Sequence, residues 1–285
     1  MTHSKLPFSK MQGVGNDFVV MDNRFSSLSE DLSSLAIRVC DRKFGVGADG
    51  LLVLDNSDRA DFLMRMYNPD GTPDVCGNGL RCIARYARER EIVCNDAMRI
   101  ETLVDVRRAT LRRDAQGEFV SVTVEMGQPH FAPSEIPVSV SGSRVIDLPL
   151  RLPGEYCLPI TSLSTGSTHS VAFVDELPGD EEFFRISPMV ENHSIFPERT
   201  SLMWCKVEAE NVMRLRIWER GAGETLGCGT GACAAAVASI LHGDAHKNSP
   251  ITVMSKGGTL QIVWNESGIL MTGPTEWVFE GEFLI

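Results

Sequence analysis

The sequence predicts an α/β protein of the α+β kind, made of two pseudo-symmetric lobes in which a curved sheet wraps around a central helix. Three observations support this prediction: an internal repeat, several runs of alternating or β-branched residues, and one segment of helical length that is apolar on all sides. Pro133 and Pro137, with serines nearby, indicate a boundary near residues 128–140. We therefore expect an N-terminal lobe over residues 1–130 and a second lobe over 131–273.

The internal repeat is clearest around two Cys-Gly-x-Gly motifs. Cys76-Gly77-Asn78-Gly79 resembles Cys228-Gly229-Thr230-Gly231, and two further pairs of segments match at offsets of 151 to 153 residues. Self-similarity at one offset indicates a duplicated architecture, and two copies indicate twin domains. The further pairs are Arg65-Met66-Tyr67 with Arg216-Ile217-Trp218 and Phe18–Asp22 with Val171–Asp175.

The secondary structure of the first half follows from local patterns. Alternation or β-branching predicts strands near residues 18–21, 51–54 and 62–67. A helix near 28–40 is indicated by apolar residues at helical spacing, with Ser27 and Glu30 as its capping box. A second helix is expected directly after the first Cys-Gly-x-Gly motif.

The remaining elements are predicted from the same kinds of pattern. Strands near 118–126 and 213–219 alternate in polarity. Ala232 to Leu241 is almost wholly apolar, and His242-Gly243 has the composition of a helix C-cap. Because a helix that is apolar all round must be buried, we expect it at the centre of its lobe.

Composition excludes several classes of protein. A net charge of −11 argues against nucleic-acid binding and gives no support for binding to anionic membranes. No apolar stretch is long enough for a membrane span, and the N-terminus lacks a signal core, so we expect a cytoplasmic protein. Eight cysteines without a CxxC pair favour neither disulfides nor a metal site. We assign four of them to packing: Cys40, Cys94, Cys157 and Cys205.

The Cys-Gly-x-Gly motifs carry chemistry when they stand at a helix start. The helix N-terminus offers backbone N–H groups and the positive end of the dipole, and glycines allow a carboxylate to approach. A thiol there has its thiolate stabilised. One such motif would more often be a buried cysteine beside a turn, but two copies in twin domains predict two thiols that face each other across a cleft. Two opposed groups can invert an α-carbon, because one removes a proton while the other adds one to the opposite face.

At these residues the chain resembles the diaminopimelate epimerase family, almost from end to end. The resemblance implies two similar α/β lobes, no pyridoxal phosphate or other cofactor, and Cys76 and Cys228 as the catalytic bases. It also implies a homodimer, a C-terminal strand over 274–285 that returns to the first lobe, and conversion of LL-diaminopimelate to meso-diaminopimelate. The segments that carry it are Met11–Phe18, Gly45–Leu52, Tyr67–Gly71, Cys76–Gly79 and Glu219–Cys233.

The resemblance also implies roles for the remaining site residues. His169 and Glu219 are paired with the cysteines and tune the thiols. The reacting amino acid is held by Asn16, Asn78 and Thr230, with Gly77 and Gly229 at the two helix starts. Asn68 and Arg220 bind the distal end of the substrate, where a guanidinium suits a carboxylate. From the residues alone, His169 reads as a loop histidine, Asn68 as a turn residue and Arg220 as a surface arginine.

Two positions depart from the family pattern. The usual Gly-Asn-Pro-His stands here as Gly166-Ser167-Thr168-His169, and Ser201 replaces a second asparagine. Both asparagines contact the distal amino-acid centre in the family, and a serine offers one hydroxyl where an amide offers a donor and an acceptor. Two alternatives therefore stay open: a racemase of another amino acid, such as histidine or lysine, and a catalytically silent amino-acid-binding protein.

Overall fold

The structure, a computed structural model, describes residues 5–25, 28 and 31–285. The helices are α1 (Leu32–Cys40), α2 (Gly77–Glu89), α3 (Asp180–Glu191) and α4 (Gly229–His242). The strands are β1 (Lys5–Gly13), β2 (Asn16–Asp22), β3 (Gly50–Asp55), β4 (Phe62–Tyr67), β5 (Pro73–Asp74), β6 (Ala97–Glu101), β7 (Val106–Arg113), β8 (Phe119–Gly127), β9 (Val145–Leu152), β10 (Tyr156–Ser164), β11 (Thr168–Phe173), β12 (Ser201–Ala209), β13 (Val212–Glu219), β14 (Gly223–Thr225), β15 (Ile251–Ser255), β16 (Gly258–Asn265), β17 (Gly268–Gly273) and β18 (Glu276–Leu284).

The chain forms two compact units. The first comprises Met1–Glu125 with Thr272–Ile285, and the second comprises Met126–Met271. In the first unit, β18 pairs with β1, followed by β2, β3, β4, β6 and β7. The pairs β2–β3 and β4–β6 are parallel and the other neighbours are antiparallel. The short strand β5 pairs with β4 just before α2 begins.

The second unit repeats this topology. The strands follow the order β9, β10, β11, β12, β13, β15 and β16, with β11–β12 and β13–β15 parallel. The short strand β14 pairs with β13 just before α4, as β5 does with β4 before α2. The duplication seen in the sequence is therefore a duplication of strand order and of strand direction.

One helix lies at the centre of each unit. α2 packs against β1, β2, β3, β4, β6 and β7, and α4 packs against the corresponding β10, β11, β12, β13, β15 and β16. Ten residues of α4 are buried, among them every residue from Ala232 to Ser239. The helix ends at Gly243, whose φ of 91° is the left-handed conformation that glycine adopts without strain. The predicted α/β fold is confirmed, and so is the prediction that the apolar segment beginning at Ala232 forms a buried helix, which is α4.

The start of α1 differs from the prediction. The helix begins at Leu32 and is capped by Asp31, whose carboxylate accepts hydrogen bonds from the backbone N–H groups of Ser33 and Ser34. Leu28 precedes the helix and is not part of it. The predicted capping box of Ser27 and Glu30 lies outside the described residues.

Two cysteine assignments are wrong. Cys94 and Cys157 are exposed, whereas Cys40 and Cys205 are buried as expected. Cys94 follows α2 in an irregular segment, and Cys157 lies near the start of β10, where residues alternate between exposed and buried positions. None of the helices in the described ranges has the length and apolar character that crossing a membrane requires.

Candidate active site

In the first unit, Cys76 is the N-cap residue of α2. Its backbone is extended, with φ −126° and ψ 123°, and the helix begins at the next residue, Gly77. The Cys76 carbonyl accepts the first helical bond, from the Leu80 N–H at 2.9 Å. The thiol therefore lies where first-turn N–H groups have no partner within the helix and where the dipole favours negative charge.

The Asn16 side chain connects Cys76 to the first turn of α2. Asn16 Oδ1 accepts from Cys76 Sγ at 3.4 Å and from Asn78 Nδ2 at 3.2 Å. Asn16 Nδ2 donates to Asp49 Oδ2 at 2.8 Å. Because a carboxylate can only accept, Asp49 determines which end of the Asn16 amide faces the sulfur. The structure thus brings together three residues that the sequence predicted for the site, and Asp49 orients one of them.

A charged cluster holds Asp49 in place. Arg42 Nη2 lies 2.7 Å from Asp49 Oδ1 and 2.7 Å from Asp17 Oδ1, and Lys10 pairs with Asp17 as well. Burial raises the pKa of Asp17, but hydrogen bonds and charges of Arg42 and Lys10 outweigh it and lower the pKa to about 2. Asp17 therefore stays ionised at neutral pH.

In the second unit, Cys228 occupies the equivalent N-cap position of α4. Its φ of −121° and ψ of 114° are close to those of Cys76, α4 begins at Gly229, and Cys228 Sγ accepts from the Gly231 N–H at 3.3 Å. A Cβ at Gly231 would lie 2.4 Å from Met203 Sδ and 3.2 Å from Cys228 Sγ. A residue with a Cβ at 231 would therefore require the buried Met203 side chain to shift.

His169 is buried beside Cys228, and its tautomer follows from its contacts. It is 1% exposed and lies within β11, not in a loop as the local sequence alone indicated. Nδ1 is 2.7 Å from the Ser167 carbonyl oxygen, which can only accept, so Nδ1 carries the hydrogen. Burial lowers the pKa of His169 to about 4, so the ring is neutral at pH 7 and Nε2 is an acceptor.

That acceptor nitrogen faces the second thiol. Nε2 of His169 lies 3.1 Å from Thr230 Oγ1 and 3.9 Å from Cys228 Sγ, and Thr230 Oγ1 lies 3.4 Å from the same sulfur. Burial, followed by the negative charge of Glu219, raises the pKa of Cys228 well above its usual value. At neutral pH the thiol is therefore protonated, whereas the helix start alone predicted a stabilised thiolate, and the Glu219 carboxylate is the group beside it that can accept its proton.

The residues predicted for the distal end of the substrate, Asn68 and Arg220, make hydrogen bonds to nearby residues of their own segments or of a neighbouring loop. The Arg220 backbone N–H donates to Ser201 Oγ at 3.1 Å, and Arg220 Nη1 donates to the Glu198 carbonyl oxygen at 2.9 Å. Asn68 Nδ2 donates to Thr72 Oγ1 at 3.1 Å and to Asp74 Oδ2 at 3.3 Å. These contacts hold each side chain locally. Ser201 contributes to the site by fixing the backbone of Arg220.

Sequence reasoning missed the contact of Asp49 with the Asn16 amide and the burial of Glu191. Asp49 stands in the Gly45–Leu52 segment, which the sequence analysis used only for the family resemblance. Glu191 reads as an ordinary charged helix residue, and nothing in its sequence context signals that it is buried. Within the described residues, no group of three or more His, Cys, Asp or Glu side chains is arranged to hold a metal ion.

Comparison with known proteins adds to this geometry. The sequence model described as "Diaminopimelate epimerase" matches residues 8–132 and 161–278. Proteins named diaminopimelate epimerase from Moorella thermoacetica and Pelotomaculum thermopropionicum are each 43% identical over 279 residues, which is 97% of this chain and 98% of each relative. A crystal structure of a hydroxyproline epimerase from Agrobacterium vitis superposes with a TM-score of 0.71 at 13% identity, covering 99% of this chain and 93% of that one, which shows a shared fold.

Proposed function

Because this chain belongs to the diaminopimelate epimerase family, we propose that it inverts the α-carbon of diaminopimelate, converting the LL form to the meso form. The observation that carries the proposal is that the two units share one topology and that each has a cysteine at the N-cap of its central helix, Cys76 at α2 and Cys228 at α4. A thiol at a helix N-terminus next to glycines suits both proton transfer and the binding of a carboxylate. The enzyme is an isomerase whose two bases are Cys76 and Cys228.

The reaction needs one proton acceptor and one proton donor. The thiolate of one cysteine removes the α-proton, the C–H electron pair passes into an enediolate over the carboxylate, and the thiol of the other cysteine adds a proton to the opposite face. Cys228 rests as a thiol, which is the state required of the donor. When it must act as the base, the Glu219 carboxylate can accept its proton, and Nε2 of His169, which stays neutral, is a hydrogen-bond acceptor 3.9 Å from the sulfur.

The N-termini of α2 and α4 stabilise the enediolate electrostatically. The first-turn N–H groups of α2 and α4 are fixed before substrate binds, so they cost no reorganisation when charge develops on the carboxylate. Asn16 and Asn78 in one unit, and Thr230 in the other, supply hydrogen-bonding groups beside the thiols. We propose that this arrangement works without pyridoxal phosphate.

Substrate selection depends on the distal end of diaminopimelate. Arg220 is exposed and its guanidinium suits the second carboxylate, with Asn68 as a further polar contact. Ser167 and Ser201 stand where the family pattern has two asparagines, which keeps a racemase of histidine or lysine as the second candidate. The homodimer and the cytoplasmic location that the family resemblance implies are also part of the proposal.

The test is stereochemical and isotopic. Protein treated with hydroxylamine, to remove carbonyl cofactors, is incubated with LL-diaminopimelate in D₂O, and products are resolved by chiral chromatography with mass detection. We expect meso-diaminopimelate that carries one deuterium at the inverted carbon. Inversion of histidine or lysine without inversion of diaminopimelate would identify the alternative racemase. Binding of diaminopimelate without deuterium incorporation would identify a silent binding protein.

A further inference from the structure

Glu191 is a buried carboxylate in the second unit that no step above uses. It is the last residue of α3 and is only 5% exposed. Its Oε1 accepts from the Gly221 N–H at 2.9 Å and from Arg199 Nη1 at 3.0 Å, and its Oε2 accepts from Trp218 Nε1 at 2.6 Å. A carboxylate is costly to bury, and it persists here because three donors satisfy it.

Two of those donors flank the pair Glu219 and Arg220. Trp218 comes directly before the pair and Gly221 directly after it. The Glu191 carboxylate therefore accepts hydrogen bonds from residues on both sides of the turn. The turn is also held by the pairing of Glu219 with Gly223 and by the bond from the Arg220 N–H to Ser201 Oγ. Residues 220–222 are exposed, and Gly221 has a φ of 78°, which belongs to the left-handed region. The Ala222 N–H closes the turn onto the Glu219 carbonyl oxygen at 3.1 Å.

We propose that Glu191 is a positioning residue that fixes the turn carrying Glu219 and Arg220, and so sets the place of a thiol-tuning carboxylate and of a substrate-binding guanidinium together. This proposal rests on the proposed function for the roles of those two residues. It assigns to the end of α3 a part in the reaction, although Glu191 touches neither the thiol nor the substrate. The part-buried bond from the Trp218 indole and the bond from the Gly221 backbone hold the Glu191 carboxylate from both sides of the turn.

The three hydrogen bonds that the Glu191 side chain accepts require a carboxylate and not an amide. Glutamine has the same size but only one acceptor oxygen. If that oxygen faces Gly221 and Arg199, the amide N–H groups face the Trp218 N–H; in the reverse orientation they face the other two donors. Either way a donor meets a donor in a buried space, and the turn must shift to relieve the conflict.

The first experiment compares Glu191→Gln with a matched control on the same helix. Ser187 is fully buried in α3 and its Oγ accepts from Trp204 Nε1 at 2.9 Å, so Ser187→Ala also strands a buried indole N–H but does so away from the turn. We expect Glu191→Gln to lower kcat/KM for diaminopimelate about 10- to 100-fold, through both a lower kcat and a higher KM. Ser187→Ala should lower Tm but leave kcat and KM within about twofold of wild type.

A rescue variant separates positioning from general destabilisation. Trp218→Phe removes the indole N–H while keeping an aromatic ring against Phe183. In the double variant Glu191→Gln/Trp218→Phe the amide no longer meets a donor there, so we expect kcat to recover at least about threefold over Glu191→Gln alone. Wild-type kcat and KM in Glu191→Gln, or an equal loss in Ser187→Ala, would overturn the proposal.

A readout without substrate keeps the test independent of the proposed function. The negative charge of Glu219 is one cause of the raised pKa of Cys228, so a displaced Glu219 should lower that pKa. Iodoacetamide alkylation of Cys228, followed by peptide mapping across pH, should begin at lower pH in Glu191→Gln than in wild type or Ser187→Ala. An unchanged profile in Glu191→Gln overturns the positioning role. A wild type that leaves diaminopimelate unchanged would instead overturn the proposed function, and the alkylation result would still stand.

Discussion

The neutral state of His169 makes a quantitative prediction about stability. Its folded pKa is about 4 because it is buried, whereas the ordinary value of 6.5 applies to the unfolded chain. Below pH 6.5 the unfolded chain therefore takes up a proton that the folded chain does not, and stability is lost as pH falls toward 4. At about 1.4 kcal/mol for each pKa unit, the full difference is roughly 3 kcal/mol, and most of it appears between pH 7 and pH 4.5.

The assay is urea unfolding of wild type and His169→Gln at pH 7 and at pH 4.5. Glutamine can donate to the Ser167 carbonyl as Nδ1 does but cannot titrate, so its own cost is the same at both pH values. We expect wild type to lose about 2–3 kcal/mol more stability than the variant over this interval. Equal losses in the two proteins would show that His169 titrates normally in the folded chain, and the lowered pKa would then be wrong.

Three further substitutions test individual contacts. Asp49→Ala releases the Asn16 amide, and we expect kcat to fall about tenfold with little change in KM, whereas unaltered steady-state kinetics would count against the orienting role. Gly231→Ala places a Cβ 2.4 Å from Met203 Sδ, so the urea midpoint should fall by the equivalent of about 1–3 kcal/mol and activity should be lost; wild-type stability would refute the close approach. Arg220→Ala should cost about 2–5 kcal/mol in kcat/KM for diaminopimelate but little in Tm, and an unchanged KM would argue against a distal carboxylate contact.

Local patterns in the sequence predicted the elements whose signals are local. The end of α4 could be predicted because His242-Gly243 follows an apolar run, and glycine at a helix C-terminus has a specific conformational reason. The start of α1 could not be predicted correctly because several residues in that segment are able to cap, and Asp31 is the one whose carboxylate reaches the first-turn N–H groups. The repeat predicted two equivalent units because similar segments separated by nearly the same number of residues indicate a duplicated fold.

Properties that depend on contacts between distant parts of the chain could not be predicted from local sequence patterns. His169 follows a glycine and two small polar residues, which indicate a loop, yet strand pairing of Ser170 with Ser162 and Leu202 includes it in the sheet. The burial of Glu191 depends on donors from β13 and from the turn after it, which lie about thirty residues away along the chain. The role of Asp49 depends likewise on the direction of one amide, which the sequence does not encode locally.

The central claim is that Cys76 and Cys228 each serve one face of the α-carbon. The most direct measurement is deuterium incorporation at each α-carbon of LL- and meso-diaminopimelate in D₂O, with Cys76→Ala and Cys228→Ala compared to wild type. We expect neither variant to invert a centre, and we expect one to exchange the proton only at an L centre and the other only at a D centre. Inversion by either variant at a rate near that of wild type would contradict the two-base account.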